Sequence, residues 1–253
     1  MFRLLNAFIH FPYYTIMELL HRLHDMLYYY KNTEFRKADL ALFRAYLFRN
    51  PYLMCRRYLS SKKCIEPNKD KVQVIYGETL CMTFELLIAK LAITEHDIVF
   101  ELGCGRGRGC FFIHAMTNAE VVGIELNPTF VKKANVIKDK LAITNMSFVQ
   151  DNIFEADLSR ATVMYFYGVA FSDTATIGLI EKFCQLPAGI RIICIGFSLN
   201  DYYDQPLFDE IDEFEVFFLW GKTQVYVCQT KGQDDIASLS DQVLQLLLQS
   251  VEN

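Results

Sequence analysis

The sequence predicts an α/β fold, a doubly wound and mostly parallel sheet preceded by a helical N-terminal extension. Three observations carry that expectation. Short apolar runs alternate with segments of helical periodicity over residues 72 to 230, the pattern of strands joined by crossover helices. The run Val99-Phe100-Glu101-Leu102-Gly103-Cys104-Gly105-Arg106-Gly107 reads as a strand closing on a carboxylate and then on three glycines at every second position. Two later apolar runs also close on acids, Glu125 and Asp151.

Residues 1–70 read as the helical extension. Residues 1–63 hold 11 Lys+Arg against 4 Asp+Glu, whereas the remainder holds 14 against 26, within an overall charge of −5. A basic arm on an acidic body either packs on that body or offers a contact to nucleic acid or another anionic surface. No run reaches the roughly 18 uninterrupted apolar residues of a membrane span, and the first twelve residues are too interrupted for a signal peptide. Phe8, Ile9, Phe11, Tyr13, Tyr14, Ile16 and Leu19 fit an interfacial helix or a helix packed on the body. Apolar residues recur from Leu40 to Leu59 with a break at Asn50-Pro51, and residues 61–71 form a polar hinge.

The body, residues 71–232, follows. Thr79 reads as an N-cap with Met82 to Leu91 as its helix. Strands are expected near 97–102, 121–125, 146–150, 162–167 and 190–197, with Asn127-Pro128 opening a helix over Thr129 to Leu141. A hairpin is expected at about 214–230 across Gly221-Lys222. Residues 233–253 form the tail, with a short amphipathic helix over 239–251.

The glycine spacing restricts the ligand. A dinucleotide fingerprint G-x-G-x-x-G needs a third glycine at 108 or 110, where the chain has Arg108 and Cys110. No G-x-x-x-x-G-K-[ST] phosphate loop is present. The carboxylate-x-G-x-G-x-G pattern instead places an acid for an amino group beside a loop that backbone can approach closely. Glu125 stands 24 positions after Glu101, close to the ~20-residue offset of a ribose-binding acid in Rossmann-like folds. Both features suit S-adenosylmethionine, which carries an amino acid tail and a ribose but no phosphate.

At these residues the chain resembles the class I, seven-stranded methyltransferases. Two lysine-methylating families share further motifs. Tyr76-Gly77-Glu78-Thr79 is similar to the cofactor-covering motif of the disruptor-of-telomeric-silencing family, the non-SET histone lysine methyltransferases. Tyr167-Gly168-Val169-Ala170-Phe171 stands where that family has Asn-Asn-Phe-Ala-Phe. Gly189 to Asn200, and Trp220-Gly221-Lys222 with Tyr226, also follow it. Gly-x-Gly-Arg, Gly-Ile-Glu-Leu-Asn-Pro and Asp157-Leu158-Ser159-x-Ala161-Thr162-Val163 resemble the small archaeal and mitochondrial protein-lysine methyltransferases. The likeness spans residues 72–230.

The resemblance implies a Rossmann-like seven-stranded sheet that binds S-adenosylmethionine and methylates a protein lysine. The cofactor set is Tyr76, Glu78, Thr79, Glu101, Gly103, Gly105, Gly107, Arg108, Glu125, Asp151 and Asn152. Glu101 and Gly103 hold the methionine end, Glu125 the ribose, and Asp151 with Asn152 the adenine. Tyr165, Tyr167 and Tyr226 are the acceptor-site candidates. The histone family's asparagine beside the methyl channel falls at Tyr167, and its basic nucleosome-binding tail is not visible after residue 230. A histone-like substrate therefore rests on the shared motifs alone.

Two alternatives stand beside this reading: an RNA or small-molecule methyltransferase served by the basic arm, and a noncatalytic module with a relic cofactor site. The Asn/Asp-Pro-Pro-Tyr/Phe turn common in base and glutamine methylation is absent after the fourth strand, where the chain has Tyr165-Phe166-Tyr167-Gly168. The eight cysteines show no C-x-x-C pair and, with five scattered histidines, no metal-ligand spacing. They read as reduced, packed thiols of a cytoplasmic protein.

Overall fold

The computed structural model describes residues 20, 23–47, 78–168, 171–218 and 221–232. Tyr76, Trp220, the polar hinge, the Asn50-Pro51 break and the tail helix lie outside those residues, as do the expected boundaries at 70 and 232–233.

One mixed sheet of seven strands forms the centre, in the order β3-β2-β1-β4-β5-β7-β6. Its strands are β1 (Ile98–Leu102), β2 (Glu120–Glu125), β3 (Met146–Gln150), β4 (Val163–Phe166), β5 (Arg191–Ile195), β6 (Phe208–Phe218) and β7 (Gly221–Thr230). The first five run parallel, and β7 lies antiparallel between β5 and β6. Helix α1 (Thr33–Tyr46) belongs to the extension. Helix α2 (Cys81–Lys90) precedes β1, α3 (Arg108–Thr117) joins β1 to β2, α4 (Pro128–Lys140) joins β2 to β3, and α5 (Asp173–Cys184) lies between β4 and β5. Strand order reverses between β1 and β4, so the carboxyl ends of these strands flank a switch-point crevice, where open α/β sheets bind ligands.

Local chemistry sets these elements. Asn127 caps α4 by accepting from the Thr129 N–H at 3.0 Å, with Pro128 opening the helix. Ser172 caps α5 through Ala175 N. The cap expected at Thr79 is not formed. Leu80 holds the N-cap position of α2 without a side-chain bond, and the Thr79 hydroxyl is engaged by Tyr165. The final hairpin starts at Phe208, earlier than the sequence pattern indicates. Its added residues Asp209, Glu210, Asp212 and Glu213 lie on the sheet's edge strand, where charge discourages pairing with another chain.

Alternation along the strands divides the interior into two cores. Phe100, Leu102, Val122, Ile124, Met164, Phe166, Ile192 and Cys194 face Leu179, Ile180 and Phe183 of α5. Val99, Val121, Tyr165, Ile193, Ile195, Val225 and Val227 face α1 to α4. The described extension packs on this second face. Arg108 is 9% exposed and held between the extension's Asp39 (2.7 Å) and Asp25 (3.1 Å). Asn32 Nδ2 donates to Ala115 O at 2.8 Å, Tyr29 Oη to Glu85 at 2.7 Å, and Lys133 Nζ to Ala45 O at 2.6 Å.

That anchor corrects one expectation. Arg108 does not join the cofactor set, because its guanidinium is committed to the carboxylates of the extension. The basic arm is thus held at this point by its own acids, on a cation of the acidic body.

Candidate functional site

The glycine loop lies between β1 and α3 with Gly103, Gly105 and Gly107 at φ of +79°, +57° and +83°. Gly107 is the N-cap of α3, and a Cβ there would lie 2.4 Å from the Phe148 ring on β3. No other residue meets both constraints without strain. The loop is tied to the end of β2, since the amides of Gly103 and Cys104 donate to Ile124 O at 2.9 and 3.0 Å. Glu125 closes that strand and accepts from Gly105 N at 2.9 Å and Asn127 N at 2.7 Å. One carboxylate therefore fixes both the glycine loop and the start of α4.

Glu101 is the penultimate residue of β1, on the same face as Val99 and Tyr165. It is 8% exposed and accepts from the Cys110 thiol at 3.0 Å. Burial pushes its carboxyl up to about 7, and the nearby Glu78 and Glu125 add to the rise, while Cys110 opposes it. Burial also raises Glu125, against the lowering effect of its backbone donors at Asn127 and Gly105. Asp151 follows β3 next to Glu125, its own amide donating to Glu125 O at 3.2 Å. Its carboxylate accepts from Asn152 N at 2.7 Å. The Asn152 carboxamide oxygen serves the turn that follows, accepting from Phe154 N.

Two further contacts join the segment before α2 to this site. Glu78 forms a bidentate pair with Arg106, whose Nη2 lies 2.7 Å from Oε2. Arg106 is 3% exposed inside the glycine loop and was not among the residues expected at the site. The only signal for it was the Gly-x-Gly-Arg string. The Thr79 hydroxyl lies 2.6 Å from the Tyr165 hydroxyl, which locks the Tyr165 ring against Phe84 at a centroid distance of 5.0 Å. Tyr167 continues this face and lies 5.6 Å from the Phe218 ring.

Tyr226 does not join Tyr165 and Tyr167. It pairs in register with Cys194, which lies in the opposite core, while its chain neighbours Val225 and Val227 lie in the core of Tyr165. Directly paired antiparallel residues share a face, so Tyr226 is on the far side of the sheet. This overturns its expected place beside the acceptor.

The donor set defines what fits. Glu101 and Glu125 accept from backbone and thiol groups, and neither is paired with a cation among the described residues. A buried carboxyl whose charge is disfavoured is stabilised by a cationic or proton-donating ligand, whereas a phosphate would be repelled. S-adenosylmethionine, with its ammonium, sulfonium and ribose hydroxyls, meets that requirement.

The fold and this acid-lined loop define a class I methyltransferase, and comparison with known proteins agrees. Residues 101–205 match the ANTKMT methyltransferase domain. A protein-lysine N-methyltransferase of Saccharolobus islandicus is 32% identical over 121 residues, 46% of this chain and 71% of that protein. The 23S rRNA (uracil(1939)-C(5))-methyltransferase RlmD of Francisella tularensis is 41% identical over 71 residues, 27% of this chain but 15% of that protein. Among solved structures, an RNA methyltransferase from Salinibacter ruber in complex with S-adenosyl-L-homocysteine is 27% identical, covers 60% of this chain and 93% of its own, and has a TM-score of 0.48. TrmN from Thermus thermophilus shares the fold at a TM-score of 0.52 and 12% identity, covering 61% of this chain and 50% of its own. The chain belongs to the class I S-adenosylmethionine-dependent methyltransferases, in the family of the archaeal enzyme.

Proposed function

We propose that the protein methylates a lysine side chain of a protein substrate. The observation that carries this reading is the aromatic wall at the end of β4. Tyr165 and Tyr167 share the face of Glu101, and Phe84 and Phe218 pack against them. A long aliphatic side chain ending in an amine suits such a wall. Aromatic faces also attract an ammonium or sulfonium by about 0.5–2 kcal/mol. The archaeal relative, a protein-lysine N-methyltransferase by name, supports the same acceptor.

S-adenosylmethionine supplies an electrophilic methyl group already activated on a sulfonium. The chain's part is positioning and exclusion of water. Glu101 with Gly103 holds the methionine end, Glu125 the ribose, and Asp151 with Asn152 the adenine. Gly105 and Gly107 shape the loop beneath them. Thr79 covers the site by holding Tyr165, and Glu78 does so through Arg106. Free lysine, with a pKa of about 10.4, must lose a proton before its lone pair can attack. Desolvation against Tyr165 and Tyr167 favours the neutral amine, so a strong general base is not required. Tyr167, whose hydroxyl burial keeps protonated, orients the amine.

Incubation with methyl-labelled cofactor and cell extract, followed by digestion, tests the acceptor. The lysine reading predicts label that resists nuclease, disappears with protease and appears on methyl-lysine by mass spectrometry. Label that survives protease and is lost to nuclease contradicts it and identifies an RNA substrate.

A further inference from the structure

Tyr46 closes α1, a helix of the extension. It is 6% exposed, and its hydroxyl is buried without a hydrogen-bond partner. A phenol removed from water and given nothing in return is costly, so such a group points to an absent partner. Its surroundings indicate which one. The ring packs against Phe130 at 5.9 Å, with Lys133 Nζ 4.0 Å and the Arg106 guanidinium 5.8 Å from its centroid. The charged and titratable groups acting on the phenol are Arg106, Glu78, Glu125 and Cys104. Each belongs to the glycine loop, to its Glu78 clasp or to the end of β2.

We propose that Tyr46 is a cofactor-binding residue whose hydroxyl hydrogen-bonds the ribosyl part of S-adenosylmethionine beside Glu125. The extension then completes the cofactor pocket instead of flanking it. The motif likeness spans residues 72–230, so no motif marked Tyr46 for this part. The proposal rests on S-adenosylmethionine as the ligand and on Glu125 as the ribose acid. It also accounts for the anchoring of the extension. The Arg108 pairs with Asp25 and Asp39 and the bond from Lys133 to Ala45 hold α1 where Tyr46 meets the loop.

The test is calorimetric titration of the full-length protein and its Tyr46→Phe variant with two ligands. S-adenosylhomocysteine carries the amino acid tail, whereas methylthioadenosine keeps the ribose and adenine without it. The variant is expected to bind both about tenfold more weakly, the scale of one lost hydrogen bond. Without ligand, its melting temperature should equal or exceed that of the wild type, because an unpartnered buried hydroxyl has been removed. Unchanged affinity for both ligands overturns the proposal. A loss seen only with S-adenosylhomocysteine overturns the ribosyl contact, and a lower melting temperature shows that the hydroxyl has a partner within the protein. Failure of the wild type to bind either ligand refutes the cofactor assignment itself and is thereby distinguishable.

Discussion

The two faces of the sheet are built by opposite rules. The face under α5 is a continuous apolar layer from Phe100 to Cys194. The face under α1 to α4 buries Glu101, Arg106, Arg108, the thiols of Cys104 in the glycine loop and Cys110 in α3, and the Tyr165 hydroxyl. Burial of apolar surface stabilises the first face at about 25 cal/mol per Å². The second gives up part of that gain by desolvating charge, and it keeps each charge only by specific partners. Buried charge is thus confined largely to one face of the sheet, although both faces are packed with apolar side chains, and substitutions on each should have different signatures.

The largest effect is expected at the anchor of the extension. Arg108→Met leaves Asp25 and Asp39 without their shared cation and should cost about 3–5 kcal/mol in urea unfolding. A cost below about 1 kcal/mol would show that the extension is not held there.

Glu101 gives a pH signature that the apolar face cannot. Its carboxyl is pushed up to about 7 in the folded protein, above the usual value of about 4.3. The stability associated with its protonated form is full below the unfolded value and lost as pH rises through about 7. The ligand-free Glu101→Gln variant should therefore gain on the wild type between pH 5 and 7, by at most about 1.4 kcal/mol per pH unit. Cofactor affinity of the wild type should rise across the same interval as the carboxyl ionises, and that rise should vanish in the variant. Parallel stability curves for the two proteins would contradict the burial of this charge.

On the opposite face, Ile192→Val removes one methylene from a fully buried position and should cost about 0.5–1.5 kcal/mol, leaving cofactor affinity unchanged. The smallest effect is expected from Tyr226→Phe. It should leave methyl transfer within about twofold, whereas Tyr167→Phe should lower it about tenfold or more. Equal losses from both would restore Tyr226 to the acceptor site.

How far the sequence exposed these differences depended on their range. Parallel strands β1, β2, β4 and β5 are buried on nearly every residue and read as apolar runs, and the expected strands coincide with β1 to β5 to within two residues. The acids at 101, 125 and 151 were legible because each closes such a run. The start of β6 was hidden because its first residues are the acids of an edge strand. Tyr226 was misplaced because alternation within a strand does not say which face it shares with a distant strand, and only the register with Cys194 settles that. Arg108 was misassigned for a similar reason. Its partners lie 69 and 83 residues away, in a segment with no motif to connect them. Arg106 carried no stronger mark because its partner Glu78 lies 28 residues away.

If the acid-lined face holds the cofactor and the apolar face does not, cofactor affinity should respond to substitutions on the first face alone. The deciding measurement is calorimetric titration of S-adenosylmethionine into the wild type, Glu125→Ala and Ile192→Val. Glu125→Ala removes the assigned ribose acceptor and frees the Gly105 and Asn127 amides, so its affinity should fall about a hundredfold, the scale of a charged hydrogen bond. Ile192→Val should bind as the wild type does. Wild-type affinity in Glu125→Ala, or an equal loss in both variants, would contradict the division of roles between the two faces.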